Sequence, residues 1–554
     1  MCGILFYRNI LESYNLQHLY RQFKLLTHRG PDRSHFQVIN GSVYGFQRLM
    51  INNLKVEGDQ PTQRDDGNLI LICNGEIYNH KEINPEHKGS DCEVIFDLYQ
   101  KYGATAELLN NLDGVYSFIL IDHIKGHLIV ARDCFGVRPL FMFKTLNSLA
   151  FASEAKNLEF IEPDNLGMVK PFQPGTIETF NLFNLGSISR DQMNLRSFIE
   201  KEKPQLDSNY SRIQNGSRSE LIVDSEVDPE LDSEYQRRIK ILLEKAVAKR
   251  VHNSDRKVGM FLSGGLDSSL VAQIASKYGV TDSFSIGLED SSDLKSARKV
   301  AEALGLTHHE VNFTAEEGYS NLQELIWHLE SYDITTIRAS MPMFLLSKYI
   351  RDNTNVRVLL SGEGADELFS GYLYNHYAPS DSDLHYESLK RLSELYHYDV
   401  LRADRTTSAS GLELRVPFLD KELVEYVLNI NPCYRAPRSR NNSNSNSTSR
   451  KVEKYLLRNA FDQYDSADGL MPRDILWRTK EAFSDGVGHS WTDYLQHIAT
   501  KLEFEGDTAV AREANMYLNI YKYLFIHKYV PKHWMPNWTS EHNGDPSASR
   551  LKVY

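Results

Sequence analysis

Between residues 258 and 360 the chain alternates short apolar runs with longer stretches of helical periodicity, and a glycine turn joins the first pair. Residues 258–262, 283–286, 310–313 and 356–360 read as strands, and 268–277 and 293–304 as helices. Alternation at this spacing predicts an α/β domain with a doubly wound parallel sheet. The turn is Ser263-Gly264-Gly265-Leu266-Asp267-Ser268-Ser269, set between the first strand and the first helix. Gly264 and Gly265 permit a tight bend that aims backbone N–H groups outward. The helix N-terminus adds its dipole, which suits a phosphate. Ser263, Ser268 and Ser269 bring hydroxyl donors, and Asp267 brings a carboxylate of the kind that holds magnesium. The chain has no G-x-x-x-x-G-K-[ST], which disfavours a Walker-type nucleotide site.

The first 174 residues have a different texture. Residues 69–73 form an apolar run leading into Asn74-Gly75-Glu76, and 115–121 and 128–131 flank a polar connection ending Lys125-Gly126, the pattern of an antiparallel hairpin. Over 91–101, Val94, Ile95, Leu98 and Tyr99 share one helical face. These features predict an α+β domain built on antiparallel sheet. Residues 182–229 are polar and weakly periodic, a linker with some extended structure. Ser233-Glu234-Tyr235-Gln236 reads as a capping box that opens a helix running to about Arg250. The Asn/Ser-rich stretch 439–450 and the tail beyond 541 are predicted to be disordered. The expected division is a first domain over 2–200, a linker over 201–229, a second domain over 230–540 and a tail over 541–554.

A formal net charge of −12 argues against a primary nucleic-acid role, since phosphate backbones are bound by Lys and Arg. The five cysteines, Cys2, Cys73, Cys92, Cys134 and Cys433, are scattered without a C-x-x-C, a set that fits reduced thiols rather than a disulfide framework or a zinc site. No apolar run approaches the roughly 20 residues that span a bilayer. The N-terminus lacks the features of a signal peptide. The expectation is a cytoplasmic protein with no membrane partner.

Cys2 stands directly behind an initiator methionine. Once Met1 is removed, one residue carries both a thiol and an α-amine, and an α-amine titrates at about 7.7–8.0. It can serve as the thiol's general base, directly or through water. A cysteine near a terminus is by itself more often a small hydrophobe, and its neighbours in sequence change that balance. Arg48 suits a carboxylate and Asp91 an α-ammonium. The Asn74 side chain and the Gly75 backbone suit a tetrahedral oxyanion. His28-Arg29-Gly30-Pro31-Asp32 is a strong turn whose arginine braces the region.

MCGI, HRGPD, NGEIYNH and SDCEV resemble the class II glutamine amidotransferases, N-terminal-nucleophile hydrolases with an αββα sandwich. By that likeness Cys2 attacks the glutamine side-chain amide, Asn74 and Gly75 hold the oxyanion, and Arg48, Asn74, Gly75, Glu76 and Asp91 bind glutamine. Met50 stands where relatives often carry a smaller residue. SGGLDSS resembles the ATP pyrophosphatases, which adenylate a substrate. In that likeness Leu262, the turn through Ser269, Ile286, Ser361 and Gly362 bind ATP, Asp267 and Asp366 hold Mg2+, and Glu363 lies near the acceptor. Lys480, in Trp477-Arg478-Thr479-Lys480, matches a catalytic lysine.

Together the modules resemble the class B glutamine-hydrolysing asparagine synthetases, whose match includes Thr335-Thr336-Ile337-Arg338. The resemblance implies aspartate binding by Thr335, Thr336 and Arg338, a β-aspartyl-AMP intermediate, an interdomain ammonia route and a homodimer. The β-lactam synthetases share the adenylation step but use no glutaminase, and the presence of Cys2, Arg48, Asn74 and Asp91 weighs against them. An amidotransferase for a peptide or glycan-precursor carboxylate and a catalytically silent sensor remain as alternatives.

Overall fold

The computed structural model describes residues 1–12, 14–86, 89–162, 167–193, 227–289, 291–439, 451–462, 471–480, 489–526 and 531–538. Its N-terminal part holds two six-stranded antiparallel sheets. The first runs, edge to edge, Met168–Pro171, Phe141–Lys144, Ser148–Ala152, Gly3–Asn9, Ser42–Arg48 and Arg33–Ile39. The second runs Ser187–Gln192, Thr176–Asn181, His127–Arg132, Gly114–Asp122, Leu69–Ile77 and Thr62–Arg64.

The period-two alternation of a strand decides which side chain goes where. Ile4 and Phe6 turn inward and join Ile70, Ile72, Ile119 and Ile121 of the facing sheet in one core. Leu5 and Tyr7, the residues between and beyond them, turn outward and pack with Leu19 and Phe23 of the helix Leu16–Lys24. In the second sheet Leu71, Cys73 and Phe118 turn outward toward Val94 and Ile95 of the helix Val94–Tyr102. Both faces are buried, so these strands read as continuous apolar runs rather than clean alternations. Cys2 and the Asn74-Gly75-Glu76 strand are thereby mounted on the two central layers.

The C-terminal part is organised by a five-stranded parallel sheet in the order Thr307–Asn312, Asp282–Gly287, Val258–Phe261, Val358–Leu360 and Glu413–Arg415. The chain steps outward one way from Val258–Phe261 and then the other way from Val358–Leu360. The crevice beyond the carboxyl ends of those two neighbours is the topological switch point where such sheets bind ligands. The turns following these two strands are Ser263–Ser269 and Ser361–Glu367, so both glycine turns open on one crevice.

Two details differ from the sequence reading. The helix expected to open at Ser233 runs from Pro229 to His252. Asp228 is the stronger cap, its side chain accepting from the backbone N–H groups of Glu230 and Leu231, with Pro229 in the first helical position. Ser233 lies inside the helix and donates its hydroxyl to the Pro229 carbonyl at 2.9 Å. The region expected to begin a linker contains the strand Ser187–Gln192. It pairs along the sheet edge with every residue exposed, and its polar composition hid it. Most of the proposed linker, the Asn/Ser-rich loop over 440–450 and the tail over 541–554 lie outside the described residues. Among the described residues no helix is long and apolar enough to cross a membrane.

Candidate active sites

The crevice of the parallel sheet is a single pocket lined by Ser263, Gly265, Asp267 and Ser268 from one turn and by Ser361, Gly362, Glu363 and Asp366 from the other. Gly264 takes φ +72, and a Cβ there would come within 2.4 Å of the Ala297 amide nitrogen, so both backbone shape and packing demand glycine. A Cβ on Gly362 would meet the Asp267 Cβ at 2.8 Å, which is how closely the two turns pack. In the first turn the Ser263 hydroxyl accepts from the Gly265 N–H at 3.3 Å and lies 3.0 Å from the Ser268 hydroxyl. Leu262 and Ile286 line the apolar side. Ser269 is fully buried behind the turn and Gly264 backs onto the next helix, so neither lines the pocket.

Asp267 and Asp366, expected as metal ligands, are drawn together by a cation that sequence reading did not single out. The Lys454 ammonium lies 2.5 Å from Asp267 Oδ2 and 2.7 Å from Asp366 Oδ1. Lys480 reaches the same centre, 2.8 Å from Asp366 Oδ2. Burial alone would raise the Asp366 carboxyl, but Lys454 and Lys480 override it and hold it well below the usual range. Burial works against a charged Lys480 too, and Asp366 with Asp267 outweighs it and raises the ammonium. Two carboxylates converge at the phosphate turn, and Asp267 Oδ1 is buried without a hydrogen-bond partner. This oxygen donor set fits Mg2+, which binds through one or two carboxylates plus substrate phosphates. Among the described residues no cluster of three acidic, His or Cys side chains is placed to hold a metal ion.

The pocket does not bring together all three residues expected to bind aspartate. Arg338 is buried away from the crevice, its guanidinium spent on Glu513, with Nε 2.8 Å from Oε1. Arg338 belongs to the helix Ile334–Asn353 and does not line the pocket, whereas Thr335 and Thr336 of the same helix do. Thr336 Oγ1 donates to Asp333 at 2.7 Å and so belongs to the helix cap. Thr335 Oγ1 is buried with no partner. Arg402, one of three arginines lining the pocket with Arg458 and Arg478, pairs with Glu363 at 2.8 Å and Asp399 at 2.7 Å while its Nε remains a buried donor without a partner. Beside it Tyr372 donates to Glu367 and lies 3.3 Å from Asp399. Burial, then Asp399 and Asp366, push Glu367 up to about 8, and burial also raises Glu363. Nothing local in sequence marks Lys454 or Arg402, because each reaches the crevice from a distant segment.

At the other centre Cys2 is half-buried, its backbone N–H donating to Asn74 Oδ1 at 2.9 Å and its thiol 3.8 Å from the Leu49 carbonyl. Burial pushes the thiol up. Asn74 is fully buried and its Nδ2 has no partner, the state expected of a donor held for an oxyanion. Gly75 continues the same strand. Asp91 is raised by burial and accepts from the Ile77 N–H at 2.6 Å. Arg48 departs from expectation. Its guanidinium donates to Asp59 at 2.8 Å, to the Lys55 carbonyl at 2.6 Å and to the carbonyls of Asn52 and Asn53. It ties down its own following loop rather than presenting an open fork to a carboxylate. Glu76 is likewise engaged, 3.2 Å from Arg415 of the parallel sheet, with burial raising its carboxyl.

The two centres share a charged and buried boundary. Arg29 joins the Cys2 carbonyl to Asp404, and Glu330 accepts from the N–H groups of Ala155 and Lys156. Leu49 and Ile51 pack on Val358, the strand that leads into Ser361.

Glu367 gives a pH dependence with a definite sign. The folded protein keeps a proton that the unfolded chain, with the carboxyl near 4.5, gives up. The stabilisation from this group is full below the unfolded value and is lost as pH rises through about 8. We expect the ligand-free protein to melt at falling temperatures as pH rises from about 4.5 to about 8, and Glu367→Gln to flatten that fall. Superimposable pH profiles for the two proteins would contradict the assignment.

The chain matches the asparagine synthase family over residues 238–384 and 376–541 and the glutamine amidotransferase domain family over residues 1–170. It is 40% identical to the glutamine-hydrolysing asparagine synthetase of Bos taurus, with 96% of this chain and 95% of that protein covered. It is 38% identical to the Gallus gallus enzyme of the same name, over 100% and 99% of the two chains. Among solved structures, a Bacillus subtilis glutamine phosphoribosylpyrophosphate amidotransferase aligns at 17% identity and a TM-score of 0.28, covering 52% of this chain and 67% of that one. With this identity spread over nearly the full length, the chain belongs to the glutamine-hydrolysing asparagine synthetases.

Proposed function

We propose that the N-terminal sandwich is an N-terminal-nucleophile glutaminase and the parallel-sheet domain an ATP-pyrophosphatase-type synthetase. The chain makes asparagine from aspartate, glutamine and ATP, with glutamate, AMP and pyrophosphate as the other products. The observation that carries this reading is the layout of the crevice. A phosphate turn with paired carboxylates and lysines lies at one end, and at the other two unpartnered donors, Thr335 Oγ1 and Arg402 Nε, lie beside the acidic group Glu367 and Asp399. That is a place for a nucleotide next to a place for an amino acid with a second carboxylate.

In the first half-reaction Cys2, freed of Met1, loses its thiol proton to its own amine and attacks the glutamine amide carbon. Asn74 Nδ2 and the Gly75 N–H receive the oxyanion, ammonia leaves, and water releases glutamate from the thioester. Asp91, kept in place by the Ile77 N–H, faces the substrate's ammonium end in this reading.

In the crevice, Thr335 and Arg402 orient aspartate by its α-carboxylate, and Asp399 receives its ammonium, joined by Glu367 as the arriving positive charge displaces the Glu367 proton. Asp267 and Asp366 would hold Mg2+ together with the phosphates of ATP, and the bound ion supplies charge neutralisation at the phosphates. The turn N–H groups and hydroxyls of Ser263, Gly265 and Ser268 cradle the leaving pyrophosphate. The aspartate β-carboxylate attacks the α-phosphorus, giving β-aspartyl-AMP, while Lys480 and Lys454 stabilise the charge on the transferring group. Ammonia then adds to the activated carbonyl, Glu363 takes a proton from nitrogen, and AMP departs. Burial raises Glu363, which strengthens it as that base. Leu49 and Ile51 pack on Val358 along the boundary between the two centres, an apolar stretch where a shielded route for uncharged ammonia would run.

Two variants separate the half-reactions. Cys2→Ala is expected to abolish glutamine-dependent synthesis and leave ammonia-dependent synthesis intact, and loss of both would contradict separate centres. Lys480→Ala is expected to lower aspartate-dependent pyrophosphate release by about 100-fold or more while glutaminase activity persists. Release at the original rate would remove Lys480 from the mechanism.

A further inference from the structure

We infer that Asp404, in the synthetase half, is a positioning residue for the glutaminase nucleophile. It fixes the guanidinium of Arg29, and Arg29 in turn fixes the backbone of Cys2. The inference rests on Cys2 being the nucleophile.

Arg29 is fully buried, and its Nε donates to the Cys2 carbonyl at 3.0 Å. Its two terminal nitrogens form a fork on Asp404, 2.8 Å to Oδ2 and 3.1 Å to Oδ1. Nη1 also reaches Ser408 Oγ at 3.1 Å and Glu154 at 3.0 Å. Asp404 and Ser408 are four residues apart on the helix Asp399–Ser408, so they stand on one face and grip the same guanidinium.

Glu154 cannot take over this duty. It is shared among His28 at 3.1 Å, Lys156 at 2.5 Å and Arg405 at 2.8 Å as well as Arg29, and so sets no single direction. Both Asp404 oxygens go to Arg29. A bidentate carboxylate defines the plane of a guanidinium, and the plane of Arg29 decides where its Nε points. That Nε holds the carbonyl of the residue whose thiol and amine must meet the substrate. The glutaminase centre is therefore completed from the other domain.

The test is full-length Asp404→Asn, which keeps the shape and removes the charge, measured beside wild type, Cys2→Ala, Arg29→Lys and the Arg29→Lys/Asp404→Asn double variant. We expect Asp404→Asn to lower the glutaminase kcat at least tenfold, with KM for glutamine and ammonia-dependent asparagine synthesis each within twofold of wild type. The double variant should be no slower than Arg29→Lys alone, because Asp404 acts through Arg29. Wild-type glutaminase turnover in Asp404→Asn, a parallel loss of ammonia-dependent synthesis, or multiplicative effects in the double variant would overturn the inference. If Asp404→Asn does not fold, Ser408→Ala removes one acceptor from the same guanidinium and is judged by the same split. Glutaminase activity surviving in Cys2→Ala would instead overturn the choice of nucleophile, whereas a normal Asp404→Asn beside an inactive Cys2→Ala overturns this inference alone.

Discussion

A buried arginine must have its charge matched and its donors used, and Arg29 meets both demands only by reaching out of its own domain. Its carboxylate fork is Asp404, and Glu154, its other anionic partner, also holds Arg405 of the helix that carries Asp404. Removing one member of such a pair leaves an uncompensated buried charge, at a cost of about 3–5 kcal/mol. The relative placement of the two halves is thus specified at this point. Elsewhere along the boundary the pattern repeats. Lys249 of the long helix Pro229–His252 joins Asp113 to Asp420, and Glu413 lies 3.5 Å from Arg138. Buried ion pairs are poor sources of net stability compared with apolar packing. Their use here fits a boundary whose task is to hold two chemistries in fixed register.

The crevice follows the same accounting. Asp267 and Asp366 are opposed by Lys454 and Lys480, so the ligand-free protein carries no bare charge at the phosphate turn. In the proposed reading Asp267 and Asp366 would hold Mg2+ together with the phosphates of ATP, and Lys454 and Lys480 would then serve the phosphates. No side chain need change its protonation state in the exchange. Arg402 lines the pocket, whereas Arg338 does not and is neutralised by Glu513.

Features set by local rules were legible in sequence. SGGLDSS read as strand, turn and helix because glycine, hydroxyl and carboxylate requirements all fall within seven neighbouring residues. The hairpin across Lys125-Gly126 and the helix carrying Val94, Ile95 and Leu98 followed from apolar spacing. Errors arose where a stronger local signal lay nearby or the partner was remote. Asp228-Pro229 outcompeted Ser233 as a helix start, and the exposed strand Ser187–Gln192 has no apolar face to betray it. Arg48 and Arg338 were placed by residue type and motif alone. Asp59 lies eleven residues from Arg48, and Glu513 lies 175 residues from Arg338, so no pattern in the chain foretold that both forks were filled. Asp404, Arg402 and Lys454 were invisible for the same reason.

The central claim is that nitrogen released at Cys2 is consumed in the crevice without leaving the protein. Glutamine labelled with 15N at its amide, supplied with aspartate, ATP and magnesium in the presence of unlabelled ammonium, tests it by the isotope content of the asparagine formed. The account predicts asparagine carrying predominantly the glutamine-derived label, with AMP and pyrophosphate formed in equal amounts. Asparagine whose label matches the diluted bulk ammonium would contradict a shielded passage and leave two centres joined only by solvent.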